Sequence, residues 1–112
     1  MSPVPNELLE FVCTTTQLDR VTVTAALRAH DLYRISVGMN DVVSPLDAAR
    51  GTYMRAKHPS LFPPDVISCG YVSPKLVREF VVRETELDEV TVRRVLGALR
   101  DFTHRSRPSA AE

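Results

Sequence analysis

The chain contains one short unit twice, and this repeat constrains its fold more than any other feature. Shifting the sequence by 69 positions aligns residues 5–33 with residues 74–102 and gives twelve identities in 29 aligned positions. Unrelated segments of ordinary composition would share roughly two. Phe11, Leu18 and Asp19 have identical partners in the second copy, and Tyr33 falls opposite Phe102. Such self-similarity indicates one small structural unit used twice.

Each copy has the pattern of two helices around a tight turn. In the first copy, Leu8 to Val12 provide apolar positions at helical spacing, and Leu18 fills the turn. Asp19 is a good N-cap for the next helix because its carboxylate accepts from backbone N–H groups two and three residues on. The first helix is expected to fray at Thr14–Thr16, and the second to end near Leu32 or Tyr33. The second copy predicts helices over residues 74–84 and 88–103.

The middle of the chain predicts one more helix and an ordered loop. Ser44, Pro45 and Asp47 form a strong helix start, with a serine cap, a proline in the first turn and a carboxylate where a capping box places one. The helix is expected to span 45–57 and to end at Pro59. Residues 59–72 hold three prolines and several apolar residues, which favours a loop packed on the core through Leu61, Phe62, Val66 and Ile67.

The overall prediction is a mainly α fold of about five helices. It is a single small helical domain over residues 1–107, in which residues 34–73 link the two repeats and residues 108–112 form a disordered tail. Residues 34–43 leave two options open, a small β-hairpin or an extended connector.

Composition disfavours several classes of function. Fourteen basic and fourteen acidic residues cancel, so no global field draws the protein to a polyanion, and any nucleic-acid binding must come from local charge. Cys13 and Cys69 are far apart and are expected to be reduced, and the chain has no long apolar run, so we expect a soluble cytoplasmic protein. The three histidines lack ligand spacing and the four glycines are isolated. We therefore expect no metal, no cofactor and no enzymatic activity.

The second copy carries a motif with a family resemblance. Its segment Leu87-Asp-Glu-Val-Thr-Val-Arg-Arg-Val-Leu96 resembles the second helix of bacterial helix-turn-helix regulators, especially the GntR-like and LacI-like versions. In those proteins a capping residue is followed by Thr-Val-Arg-Arg and an apolar pair. The resemblance implies a sequence-specific DNA-binding protein, a transcriptional regulator of bacterial, plasmid or phage type, whose partner is double-stranded DNA.

The resemblance also implies which residues face the DNA. Arg93 and Arg94 would specify bases, because arginine reads guanine bidentately. Arg28, Arg100 and the tail arginines would position the DNA backbone. The outer faces of the two second helices, which a recognition helix presents to the major groove, comprise Glu89, Val90, Arg93, Arg94 and Gly97 in one copy and Arg20, Val21, Thr24, Ala25 and Arg28 in the other. Two such helices would read two half-sites in one chain, with a homodimer as the other arrangement.

A second resemblance leads to an alternative. The repeat consists of a helix, a Leu-Asp turn and a longer apolar helix, and this order is similar to the helical hairpin of HU/IHF-type DNA-binding proteins. In those proteins the hairpin forms the dimer interface. It implies that the repeat is a pseudo-dimeric helical core whose function lies elsewhere. The alternative function is a non-enzymatic protein-interaction module, an inhibitor, adaptor or structural component, that docks on a protein partner.

Overall fold

The structure, a computed structural model, describes residues 5–37, 44–64 and 73–106. It contains α1 (Asn6–Thr16), α2 (Arg20–Ser36), α3 (Pro45–Lys57), α4 (Pro74–Thr85) and α5 (Glu89–Ser106), with a short 3-10 turn at Pro59–Leu61. No strand occurs in these three ranges. The prediction of a mainly α fold with about five helices is confirmed.

The two copies of the repeat form two helical hairpins with the same turn. The Thr16 hydroxyl donates to the Val12 carbonyl at 2.6 Å and accepts from the Leu18 N–H at 3.4 Å. In the second copy, Thr85 makes the equivalent hydrogen bonds, to the Val81 carbonyl at 2.6 Å and from the Leu87 N–H at 3.3 Å. α1 continues through Thr16, which is buried, so the fraying expected at Thr14–Thr16 does not occur.

Both turns also use a left-handed residue and an aspartate cap. Gln17 and Glu86, the residues just after α1 and α4, have φ of 62° and 59°. The aspartates that follow cap α2 and α5, with Asp19 accepting from the Thr22 N–H at 3.4 Å and Asp88 from the Thr91 N–H at 3.2 Å. The predicted caps are therefore confirmed, and the repeat in the sequence is also a repeat in hydrogen bonding.

The hairpins pack on each other reciprocally. α1 lies against α5, and α4 lies against α2, so the first helix of each hairpin packs on the second helix of the other. The rings of Phe11 and Phe102 are 5.4 Å apart, and the rings of Phe80 and Tyr33 are 5.3 Å apart. A shift of 69 positions converts one ring pair into the other. The hairpins are thus related like the subunits of a dimer with an isologous interface.

α3 and the 3-10 turn cover only one of the two aromatic pairs. The Tyr33 hydroxyl donates to the Leu61 carbonyl at 2.8 Å, and the Phe62 ring stacks on Tyr33 at 4.8 Å. α3 approaches the end of α2 at Gly51, where a Cβ would lie 3.2 Å from Ser36 Cα. Leu61 and Phe62 are buried, as predicted. Val66 and Ile67 lie outside the described residues.

The C-terminal end of α3 is tied to α4 through one carboxylate. Glu84 Oε2 is 3.1 Å from Lys57 Nζ and 2.7 Å from His58 Nε2. Burial alone would raise the pKa of Glu84, but the hydrogen bonds from His58 and Lys57 outweigh it and lower the pKa. The basic residues at the C-terminal end of α3 therefore make an intramolecular contact with the second hairpin.

α2 is longer than the sequence predicts. It continues past Tyr33 to Ser36, so residues 34–36 are helical, and both the hairpin and the extended connector are wrong for them. The reason is tertiary: Ile35 and Ser36 are buried, and the Arg55 guanidinium donates to the Ser36 carbonyl at 2.6 Å. Residues 38–43, the rest of the hairpin option, lie outside the described residues, as does the tail 108–112.

Candidate nucleic-acid interface and the adjoining groove

The predicted recognition face of α5 is exposed to solvent. α5 buries Val92, Val95 and Ala98 in the core. On its other side the Val90 residue is 64% exposed and the Arg93 side chain 60% exposed. Because the core uses the opposite face of α5, these outward residues are available for a partner.

Arg93 is part of a surface charge cluster. Glu89 Oε1 lies 3.3 Å from Arg93 Nη2 and 3.4 Å from Arg78 Nε, so one carboxylate lies between two guanidinium groups. The cluster keeps one net positive charge. Exposed ion pairs contribute little stability, so Arg93 can leave Glu89 at a small cost in free energy.

Arg94 contacts the other hairpin instead of pointing freely outward. Its guanidinium donates to the carbonyl of Thr16, in the last turn of α1. The carbonyls at a helix C-terminus carry partial negative charge, which favours a cation there. Residue 25, the equivalent position in the first copy, is alanine. Arg94 therefore joins the two hairpins.

The predicted outer face of α2 also forms one surface. Arg20, Val21, Thr24, Ala25 and Arg28 line a shallow depression together. Val21 is 78% exposed and is the repeat equivalent of Val90. Arg20 Nη2 lies 3.4 Å from Asn6 Oδ1, whereas Thr24 is half-buried. Both second helices thus present an exposed valine in the first turn.

The structure reveals a groove that the sequence reasoning did not predict. It lies between α2, α4 and α5, has a volume of about 630 Å³ and opens to solvent. Its basic lining residues are Arg34, Arg78, Arg93 and Arg100, with His30 and His104. Val77, Leu96 and Leu99 supply much of its apolar lining. Among the described residues that line it, none carries a carboxylate.

The groove brings Arg93 and Arg100, both predicted site residues, beside two arginines that the prediction missed. Arg34 comes from α2 and Arg78 from α4. The two copies of the repeat differ in a way that could have indicated these arginines. Arg78, Arg93 and Arg100 correspond to Leu9, Thr24 and Asp31 in the first copy. The equivalent surface of the first copy therefore lacks these three arginines, although the two hairpins are related by pseudo-symmetry.

His30 lies in this groove as a neutral imidazole. Burial, and secondarily the positive charge of Arg34, lower its pKa from 6.5 to about 4. At neutral pH His30 therefore adds no positive charge to the groove.

The described residues contain no group of three His, Cys, Asp or Glu side chains placed to hold a metal ion. Among the same residues, none of the helices combines the length and apolarity needed to cross a membrane. Cys13 is a free, half-buried thiol that packs against the core. Compared with models of known families, with curated proteins and with solved structures, the chain shows no significant match.

Proposed function

We propose that the protein binds double-stranded DNA through the outer face of α5, as a small regulator of bacterial, plasmid or phage type. The observation that carries this proposal is the exposed row formed by Val90, Arg93 and Arg100, opposite the buried row of the same helix. These residues are spaced three and seven apart, so they share one side of the helix. All three residues are exposed, so none of them belongs to the buried core.

Each residue of this row has a chemical role at a DNA surface. The Val90 methyl groups suit the thymine methyl, and Arg93 suits the acceptor pair of guanine. Arg100, farther along α5, and Arg78, from α4, suit phosphate contacts that fix the position of the protein. Arg94, which is exposed four residues after Val90, reaches from α5 to α1 through its bond to Thr16. In this proposal Arg94 positions the helix and Arg93 reads the base.

The first hairpin supplies a second, weaker face. Val21, Arg20 and Arg28 occupy the same side of α2 that the DNA-binding row occupies on α5. The reciprocal packing makes the hairpins equivalent by pseudo-symmetry, which suits a DNA site with two related halves. Contact through α2 rests on Arg20, Thr24 and Arg28.

The first test is selection of bound duplexes from a random DNA pool, followed by titration of the selected site at several salt concentrations. Arg93→Ala should weaken specific binding about tenfold or more and relax one base preference. Arg100→Ala should weaken all sequences alike and reduce the salt slope by about one. Arg50→Ala, an exposed arginine on α3, is the matched control and should change nothing. A pool without enrichment, combined with no retention at low salt, would contradict the proposal.

Arg94→Ala separates positioning from base reading. Loss of the bond to Thr16 should lower the free energy of unfolding by about 1 kcal/mol, whereas Arg93→Ala should leave it nearly unchanged. Urea denaturation of the two variants measures both values. If Arg94→Ala keeps full stability but loses one base preference, Arg94 reads DNA directly.

A protein-interaction role is the second candidate, favoured by a different surface. Leu46 and Tyr53 are 59% and 60% exposed on α3 and lie seven residues apart, on one side of the helix. Contiguous exposed apolar patches mark docking surfaces, and these two side chains would form the centre of such a patch. A photo-crosslinking residue at position 53 that captures one discrete protein, while the same group at position 21 does not, would support this candidate.

A further inference from the structure

We propose that the groove between α2, α4 and α5 is a binding site for a small anionic amphiphile, a molecule with an apolar body and a carboxylate or similar head group. This inference goes beyond DNA binding, and its test contains no DNA. It rests on the size of the groove, the chemistry of its lining and the opening at Gly97.

The groove has the dimensions and position of a small-molecule site. Its volume of about 630 Å³ lies within the range of about 300–1,000 Å³ that is typical of such sites, and gaps between packed helices are a common place for them. Along α5 it runs from Arg93 to His104, which is about 16 Å at 1.5 Å per residue. An extended chain of about ten carbons fits that length.

The charges of the groove select an anion. Arg34 and Arg100 reach it from α2 and α5, and within the described residues neither forms an ion pair with a carboxylate. Arg78 and Arg93 share the single carboxylate of Glu89. A ligand head group would therefore meet cations that are unpaired or incompletely paired. The planar guanidinium binds a carboxylate bidentately, which makes arginine suited to this role.

The apolar lining accounts for the body of the ligand. Val77, Leu96 and Leu99 bring aliphatic surface to the groove beside the arginines. Gly97 also lines it, and a Cβ built there meets no atom within 4 Å. The first copy carries Arg28 at that position. The missing side chain at Gly97 thus leaves room on the α5 side of the groove.

The test is titration of the full chain with decanoate, followed by two-dimensional NMR and calorimetry below the micelle concentration. Two probes separate the parts of the proposal: decyltrimethylammonium has the same chain with the opposite charge, and acetate has the same head without the chain. Decanoate should bind saturably with one molecule per chain, at least about tenfold more tightly than either probe. Shifts should centre on the Gly97 amide and on the methyl groups of Val77 and Leu96.

Two variants place the site in the groove. Gly97→Phe should fill it, and Arg100→Gln should remove an unpaired cation, and each should weaken decanoate binding about tenfold or more. The matched controls Ala49→Phe and Arg50→Gln change exposed positions on α3 and should leave binding unchanged. Circular dichroism verifies the fold of each variant. If one of the two groove variants does not fold, the other still tests the proposal. Equal binding of the ammonium probe, absence of saturation, or unchanged binding by both folded groove variants would overturn the proposal.

Discussion

His30 occupies the position that Leu99 occupies in the second copy, and this exchange makes the first hairpin sensitive to acid. Its imidazole lies in the groove between α2, α4 and α5, where the other titratable groups among the described residues are Arg34, Arg78, Arg93, Arg100 and His104. Burial, then Arg34, holds its pKa at about 4 instead of 6.5. His30 is therefore harder to protonate in the folded chain than in the unfolded chain.

We expect the free energy of unfolding to fall as the pH drops from about 6.5 to about 4. Below pH 6.5 the unfolded state binds a proton on His30 that the folded state does not bind, so stability is complete above this range and is lost within it. The shift from 6.5 to about 4 corresponds to a loss of the order of 3 kcal/mol. Urea denaturation at pH 7 and pH 4 measures it.

The substitution His30→Leu introduces the residue found at the equivalent position 99 of the second copy. It separates the contribution of His30 to the acid sensitivity of folding from the contribution of the carboxylates. The variant should lose less stability than the wild type over the same pH range, because the group that takes up the proton is gone. Equal losses in the two proteins would contradict the assignment to His30.

At the scale of the helix, two glycines in helix interiors have opposite environments. Gly51 in α3 faces α2, and a Cβ there would lie 3.2 Å from the backbone Cα of Ser36. Gly97 in α5 borders the open groove and has no such neighbour within 4 Å. Glycine in a helix costs about 1 kcal/mol relative to alanine when nothing else differs.

Gly97→Ala should therefore raise the free energy of unfolding by about 1 kcal/mol, whereas Gly51→Ala should lower it. In the second case α2 and α3 must separate by a few tenths of an ångström, and this cost exceeds the gain in helix propensity. Thermal and urea denaturation of the two variants provide the comparison. A gain of similar size for both would mean that the contact between α2 and α3 is loose.

The elements that the sequence predicted well are those fixed by nearby residues. The caps at Asp19 and Ser44, and the bounds of α3, depend on side chains within three or four positions. Gln17 and Glu86, the residues after α1 and α4, both adopt the left-handed conformation, which glycine takes most easily. The side-chain amide of Gln17 also donates to the Thr14 carbonyl at 3.1 Å.

Features set by distant contacts escaped prediction. α2 extends to Ser36 because α3 packs on its last turn, a contact that no local pattern contains. Arg94 bonds to Thr16, which lies 78 positions earlier. Three helices form the groove, and Arg34 and Arg78 come close to Arg93 and Arg100 only in the folded chain. The sequence therefore did not link these arginines. The spacing of apolar residues shows which side of a helix is buried. It does not show which polar sides of different helices lie next to each other in the fold.

At the scale of the whole molecule, the two hairpins stabilise each other. α1 packs mainly on α5 and α4 mainly on α2, so much of the apolar surface of each first helix is buried by the opposite hairpin. The Phe80 ring, fully buried, contacts Tyr33 and Phe62 from the first part of the chain. Isolated helices of these lengths are marginal in water, and a hairpin without its partner leaves an apolar face exposed.

The fragments 1–72 and 73–112 should therefore have little helix when separate and should recover the helical circular dichroism of the intact chain when mixed at equal concentrations. Recovery should require the reciprocal contacts, because among the described residues α1 and α4 pack mainly on the opposite hairpin. Phe80→Ser in the second fragment should prevent recovery, since it removes the ring that meets Tyr33. Leu87→Ser, a matched change at a half-buried turn residue, should weaken recovery much less. Cooperative unfolding of either fragment alone would show that one hairpin is stable without the other.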